Sequence, residues 1–192
     1  MIEKGDFVLM DYGAGYCDYR SDMTRTVVMG EPTQEQLDLY ALVRRTHEEC
    51  VAAIHPGVEG NDIFKLSKKI IGDAGYGDYY NHGLGHGVGI DIHELPNFNR
   101  SKNTIEVGSV ITMEPGVYLP GVGGVRLEDY GVVTENGYEP SPRPRTTCIL
   151  SIAKPSIWVF GGGASGSIRA SRVLFLCARR SRRLQVYNFA RM

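Results

Sequence analysis

The apolar and polar positions divide the chain into stretches of different texture. Phe7 to Met10 is a short apolar run ending in Asp11, and it predicts a buried strand. Gly13 and Gly15 mark a turn beyond it. Thr24 to Met29 is rich in β-branched residues and predicts a second strand, with Asp22 near its start. A hairpin joining the two would bring Asp11 and Asp22 close together.

The period then lengthens. Thr33 and Gln36 fit a capping box, in which the hydroxyl satisfies a free backbone N–H and the glutamine side chain reaches back. Leu37, Tyr40, Ala41, Val43, Cys50, Val51 and Ile54 form an apolar stripe at roughly helical spacing. This helix should end near His55-Pro56-Gly57, where proline and glycine cannot continue it. A second helix is predicted from about Asn61 to Ala74, with Ile63, Leu66, Ile70 and Ile71 inward. From Gly75 onward the chain is glycine-rich and β-like. Val110 to Met113 is a strand leading into the turn Glu114-Pro115-Gly116. Gly121 to Gly124 is another turn. Val125 to Thr134 is one long strand containing Glu128, ended by Asn136-Gly137. Two strands, two helices, then several strands make an α+β domain.

Composition changes this picture at one place. The net charge of −1 averages two unlike segments. Residues 1–150 carry 13 basic against 22 acidic groups, a balance of −9, whereas 151–192 carry 8 basic and no acidic group. The division expected is one folded domain over 1–150 and, after the prolines Pro140, Pro142 and Pro144, an atypical basic tail over 151–192 outside the core. The tail holds Gly161-Gly162-Gly163 and the cluster Arg179, Arg180, Arg182 and Arg183. No aromatic platform or groove motif accompanies those arginines, so nucleic acid is not expected as a partner. No apolar run approaches the roughly 20 residues that span a bilayer. The cysteines Cys17, Cys50, Cys148 and Cys177 form no CxxC pair, which argues against a disulfide framework or a zinc knuckle and for a cytoplasmic setting.

Candidate chemistry changes it most. Asp11 and Asp22 lie eleven positions apart across the expected hairpin. His82-Gly-Leu-Gly-His86 puts two histidines in a glycine-rich stretch, followed by His93-Glu94. Glu114 sits in Ile-Thr-Met-Glu-Pro-Gly, and Glu128 in Val-Arg-Leu-Glu-Asp. Singly, each feature is weak. Together they suit two divalent cations roughly 3.5–4 Å apart that share a hydroxide and clamp a substrate oxygen. Several carboxylates are needed to balance the metal charge, and at least one must bridge. Four carboxylates with one imidazole accept manganese, cobalt, iron or zinc.

In order and context these stretches resemble the pita-bread metallopeptidases of family M24, which include Xaa-Pro aminopeptidases, Xaa-Pro dipeptidases and methionine aminopeptidases. The stretches that carry the likeness are Val8-Leu-Met-Asp-Tyr-Gly-Ala, Ser21-Asp-Met-Thr-Arg-Thr, His82-Gly-Leu-Gly-His-Gly-Val-Gly, Asp91-Ile-His-Glu-Leu-Pro, Thr112-Met-Glu-Pro-Gly-Val-Tyr and Gly124-Val-Arg-Leu-Glu-Asp, within about residues 1–150. The resemblance implies a curved antiparallel sheet with helices on one face and two divalent metals, manganese favoured. It implies that Asp11 chelates one metal, Asp22 and Glu128 bridge the pair, and His86 and Glu114 complete the shell of the other. It further implies catalytic roles for His82 (substrate binding), His93 (the scissile amide or the tetrahedral intermediate), Glu114 (proton transfer) and Arg126 (behind the metal ligands, orienting a bridging carboxylate, or in the substrate pocket). The arginine before Glu128 looks like the proline-directed members. The expected reaction is therefore hydrolysis at an Xaa-Pro bond, by an aminopeptidase or a dipeptidase acting on a peptide substrate. A methionine aminopeptidase, a binding module on the same shell and a creatinase-like C–N hydrolase are the alternatives.

Two departures from the family pattern add expectations. Only ten residues precede Asp11, where members of the family carry further elements, so the fold is expected to be incomplete on its N-terminal side and its activity reduced. Strand edges left open there would favour a homodimer. The basic tail is the second departure.

Overall fold

The computed structural model describes residues 2–99 and 102–141, together with the strand backbones of 151–152 and 184–190. Pro142, Pro144, the glycine run at 161–163 and the arginine cluster at 179–183 lie outside the described residues.

β1 (Phe7–Tyr16) and β3 (Met23–Met29) pair antiparallel, with Asp11 opposite Thr24. The expected turn at Gly13 and Gly15 is absent: β1 runs straight through both. Gly13 instead permits a close approach, since a Cβ there would lie 2.0 Å from the Ser21 carbonyl oxygen. The reversal comes later, between Tyr16 and β2 (Tyr19–Arg20), where Cys17 and Asp18 both take positive φ, 47° and 69°. Two such residues in a row give the tight turn whose twist matches that of the paired strands.

α1 (Gln34–Ala52) begins where its capping box is written: the Thr33 hydroxyl accepts from the Gln36 N–H, and the Gln36 side chain accepts from the Thr33 N–H. Its buried face differs from the expected stripe. Leu37 is 39% exposed, while Leu39, Leu42, Thr46 and His47 are buried. α2 (Gly60–Asp73) buries Ile63, Ile70 and Ile71, and Leu66 is partly covered.

The remaining strands are β4 (Gly85–Gly87), β5 (Glu94–Phe98), β6 (Val110–Met113), β7 (Gly116–Leu119), β8 (Gly123–Arg126), β9 (Asp129–Thr134), β10 (Gly137–Ser141), β11 (Ser151–Ile152) and β12 (Leu184–Ala190). The expected long strand Val125–Thr134 is two strands, interrupted at Leu127 and Glu128. Tertiary partners cause the break: the Leu127 N–H donates to the Pro115 carbonyl and the Glu128 N–H to that of Thr24.

The first sheet has the order β11-β3-β1-β12 and the second β10-β9-β6-β4-β5, with β7 and β8 as a separate ribbon. All pairings are antiparallel except the short β11–β3 contact. An isolated bridge between Thr24 and Glu128 ties the two sheets together. The core has two clusters. Cys50, Ile54 and Ile63 pack on Leu84, Phe98, Ile111 and Met113, which seats the helices on the second sheet. Leu39, Tyr40 and Val43 pack on Val117, Val125 and Leu127, which seats α1 on the ribbon. Among the described residues no helix is long and apolar enough to cross a membrane.

Candidate metal centre

The two sheets meet at a cavity of about 600 Å³. Asp11, Asp22, His82, His86, His93, Glu114, Arg126 and Glu128 all line it, so the structure brings together every residue singled out in the sequence. Asp11 comes from β1, and Asp22 from the residue before β3. His86 lies on β4, Arg126 ends β8, and Glu114 and Glu128 sit in the short breaks after β6 and β8.

Local sequence sets each position. Gly85 lets β4 press against β6, because a Cβ there would lie 2.2 Å from the Thr112 carbonyl oxygen. His86 is held by its N–H, which donates to the Thr112 hydroxyl at 3.0 Å. Its Nδ1–H donates to the Gly87 carbonyl at 2.9 Å, which leaves Nε2 with a free lone pair. Nε2 lies 3.3 Å from Glu114 Oε1 and 3.8 Å from Asp22 Oδ2.

Glu128 is 2% exposed. Oε2 accepts from the Thr24 hydroxyl at 2.6 Å, and that hydroxyl accepts from Arg126 Nε at 3.0 Å. Oε1 is buried and has no hydrogen-bond partner among the described residues. Arg126 also holds Asp11 Oδ2 through Nη2 and the Tyr118 hydroxyl through Nη1. The Tyr118 hydroxyl meets His82 Nε2 at 2.9 Å, while His82 Nδ1 lies 2.6 Å from the Gly83 carbonyl. Nδ1 is therefore the donor and Nε2 the acceptor.

The electrostatics are those of four crowded acids with one guanidinium, Arg126, among them. Burial, then the neighbouring Asp11, pushes Asp22 up to about 7. Burial pushes Glu114 up to about 7, against the opposing pull of Arg126. Glu128 is raised by burial and by the charges of Glu114 and Asp22. His86 is lowered by burial, and so is His82, to about 4. A bound cation would stabilise the ionised carboxylates and the neutral imidazole alike.

The ligand atoms fall into overlapping groups. Asp11, Asp22 and Glu128 offer oxygens within 4.8 Å of one another, and a His86 ring nitrogen lies as close to oxygens of Glu114 and Glu128. The two groups share Glu128, so a single carboxylate reaches both. The orphaned Oε1 and the oxygen-rich donor set with one imidazole fit a pair of divalent cations. Asp22, His86 and His93 form a third such group, with the His93 ring 4.3 Å from that of His86.

Not singled out in the sequence are Thr24 and Thr112, which hold Glu128 and His86, Tyr118, which holds His82, and Asn81 and Asn97, which line the cavity. Thr24 carried a signal: it stands two residues after Asp22, on the same face of an extended chain.

The model of metallopeptidase family M24 matches residues 1–135. The Xaa-Pro dipeptidase of Pyrococcus furiosus is 46% identical over 137 residues, covering 71% of this chain and 39% of that protein. The crystal structure of the prolidase from Pyrococcus horikoshii OT3 superposes with a TM-score of 0.71 at 39% identity, over 78% of this chain and 42% of that one. The X-Pro aminopeptidase of Thermotoga maritima superposes with a TM-score of 0.72 at 35% identity, over 74% of this chain and 41% of that one. The chain thus spans about two fifths of the length of the relatives it matches.

Proposed function

The chain belongs to metallopeptidase family M24 and has the pita-bread fold of the prolidases, and on that premise we propose that it serves metal-dependent hydrolysis of an Xaa-Pro bond at the N-terminus of peptides. The observation that carries the proposal is the pair of ligand groups sharing Glu128, whose second oxygen is buried and unpaired. Bound there, two divalent cations, manganese favoured, would polarise the scissile carbonyl and supply a water acidic enough to react near pH 7.

The protein's own residues do the rest. Asp11, Asp22, His86, Glu114 and Glu128 would hold the cations, with Asp22 and Glu128 as the shared ligands. Glu114, at the cavity wall, takes the proton of the attacking water and returns it to the leaving amine. His93, exposed at the rim beside His86, donates to the scissile amide. Arg126 fixes the Asp11 carboxylate and the Thr24 hydroxyl, and through Tyr118 it keeps the His82 ring oriented. His82, neutral at working pH, presents its ring to the substrate. Residues 1–150 form the catalytic part in this reading, and 151–192 are an appended segment. The setting is cytoplasmic.

Elemental analysis after incubation with manganese tests the centre, with about two ions per chain expected for such a pair; a near-zero content rejects it. Assay of Gly-Pro and Ala-Pro beside a Met-Ala peptide tests the specificity. Turnover confined to the methionyl peptide would replace the proline-directed reading with a methionine aminopeptidase.

A further inference from the structure

A second charged group adjoins the ligand cluster, and none of its members lines the cavity. Arg25 follows Thr24 on β3. Its Nη1 donates to two carbonyl oxygens, those of Thr24 at 2.7 Å and Glu128 at 2.6 Å. Its Nη2 donates to Asp129 Oδ1 at 2.5 Å. Thr24 and Glu128 are the two residues of the isolated bridge that joins the first sheet to the second. One guanidinium therefore spans that seam and grips the peptide of a candidate ligand.

The grip is itself held. Asp129 is 5% exposed, and its Oδ2 lies 3.6 Å from His47 Nε2, on α1. That nitrogen is buried with no hydrogen-bond partner among the described residues. The Asp129 carbonyl accepts the Tyr138 hydroxyl at 3.2 Å. Helix, first sheet and second sheet thus converge on one ion pair. The forked guanidinium is required, because a lysine ammonium is a single point charge and cannot reach two carbonyls and a carboxylate in fixed directions.

We propose that Arg25, locked by Asp129 and backed by His47, is the positioning residue of the metal centre: it fixes the Glu128 backbone against Thr24 and so sets Glu128 at its distance from Asp11 and Asp22 across the seam. The inference rests on the reading of that cluster as a divalent-metal site. It makes Arg25 act through the Glu128 backbone, with no contact to substrate or metal.

Manganese binding to the 192-residue chain, measured by titration calorimetry well below its melting temperature, tests this beside thermal melting in chelator. The variants are Arg25→Lys and Asp129→Asn. The Kd for Mn²⁺ should rise about tenfold in each, the scale on which groups that orient a ligand act. A purely structural ion pair would lower the metal-free melting temperature and leave the Kd of the folded variants within threefold of the parent. That result overturns the proposal. If Arg25→Lys does not fold, Asp129→Asn decides by the same threefold criterion, since it keeps an acceptor for Arg25 and removes only the charge. No manganese binding by the parent chain overturns the metal-site reading and this inference with it. Binding by the parent with unchanged affinity in the variants overturns this inference alone.

Discussion

Glu128 Oε1 is the atom on which the candidate site turns. A buried carboxylate oxygen with no partner loses its hydration and gains nothing, a cost on the order of 1–3 kcal/mol or more for a charged group. Burial and the neighbouring Glu114 and Asp22 charges accordingly raise its carboxyl above the ordinary range. Glu128→Gln keeps the shape and removes the charge. The metal-free melting temperature at pH 7.5 should then stay within about 2–4 °C of the parent's, the shift that ~1 kcal/mol produces in a chain of this size. The rise in melting temperature on adding manganese should vanish. A variant that keeps that rise would show that Glu128 is no ligand. The carboxylates and His86 were legible in the sequence because few residue types can hold a cation and each stood in a distinctive context. Thr24 and Tyr118 were not. A hydroxyl carries no charge to mark it, and the role of Thr24 comes from a partner 104 positions away.

Legibility at the scale of elements followed the range of the deciding interaction. The start of α1 was readable to the residue, because Thr33 and Gln36 satisfy one another locally. The buried face of α1 was less so: Leu37 is exposed, while the polar Thr46 and His47 are buried, His47 beside the distant Asp129. The strand from Val125 to Thr134 looked continuous, since nothing near Glu128 announces that Thr24 and Pro115 will take its backbone bonds. Gly13 was misread as a turn because close packing and tight turning both demand a missing Cβ. The two explanations differ in what Gly13→Ala does. In a turn with open space the change would be mild. Here the methyl would strike the Ser21 carbonyl, and the strain should cost about 1–3 kcal/mol. Because Ser21 precedes Asp22, manganese affinity should fall as well. Urea melts of the metal-free variant and calorimetry on the folded protein separate these effects. An unchanged midpoint would show that the backbone yields freely at that contact.

At the scale of the whole molecule the site is the junction of two sheets, with Asp11 and Asp22 supplied by the first and His86, Glu114 and Glu128 by the second or its connections. Crowding acids at a junction makes stability depend on pH and metal together. Asp22 and Glu114 are pushed up to about 7 when folded, whereas unfolded carboxylates titrate near pH 4. Between those limits these carboxyls bind more protons folded than unfolded, which outweighs the fewer bound by His82 and His86, lowered by burial. Stability from this source is fully present below about pH 4 and is lost as pH rises through about 7. The metal-free chain should therefore melt at a lower temperature at pH 7.5 than at pH 5.5, and Asp22→Asn should flatten that slope. Metal must displace the same protons, so its effect runs the other way. Manganese at 100 times its Kd adds about 2.7 kcal/mol per site, and less at pH 5.5, where protons compete for the ligands. Melting temperatures at the two pH values, in chelator and in manganese, should give slopes of opposite sign. Parallel slopes would show that the acids are ionised without metal and that the cluster is an ordinary solvated one. Opposite slopes would make the junction a place where a cation replaces protons as the tie between the two sheets.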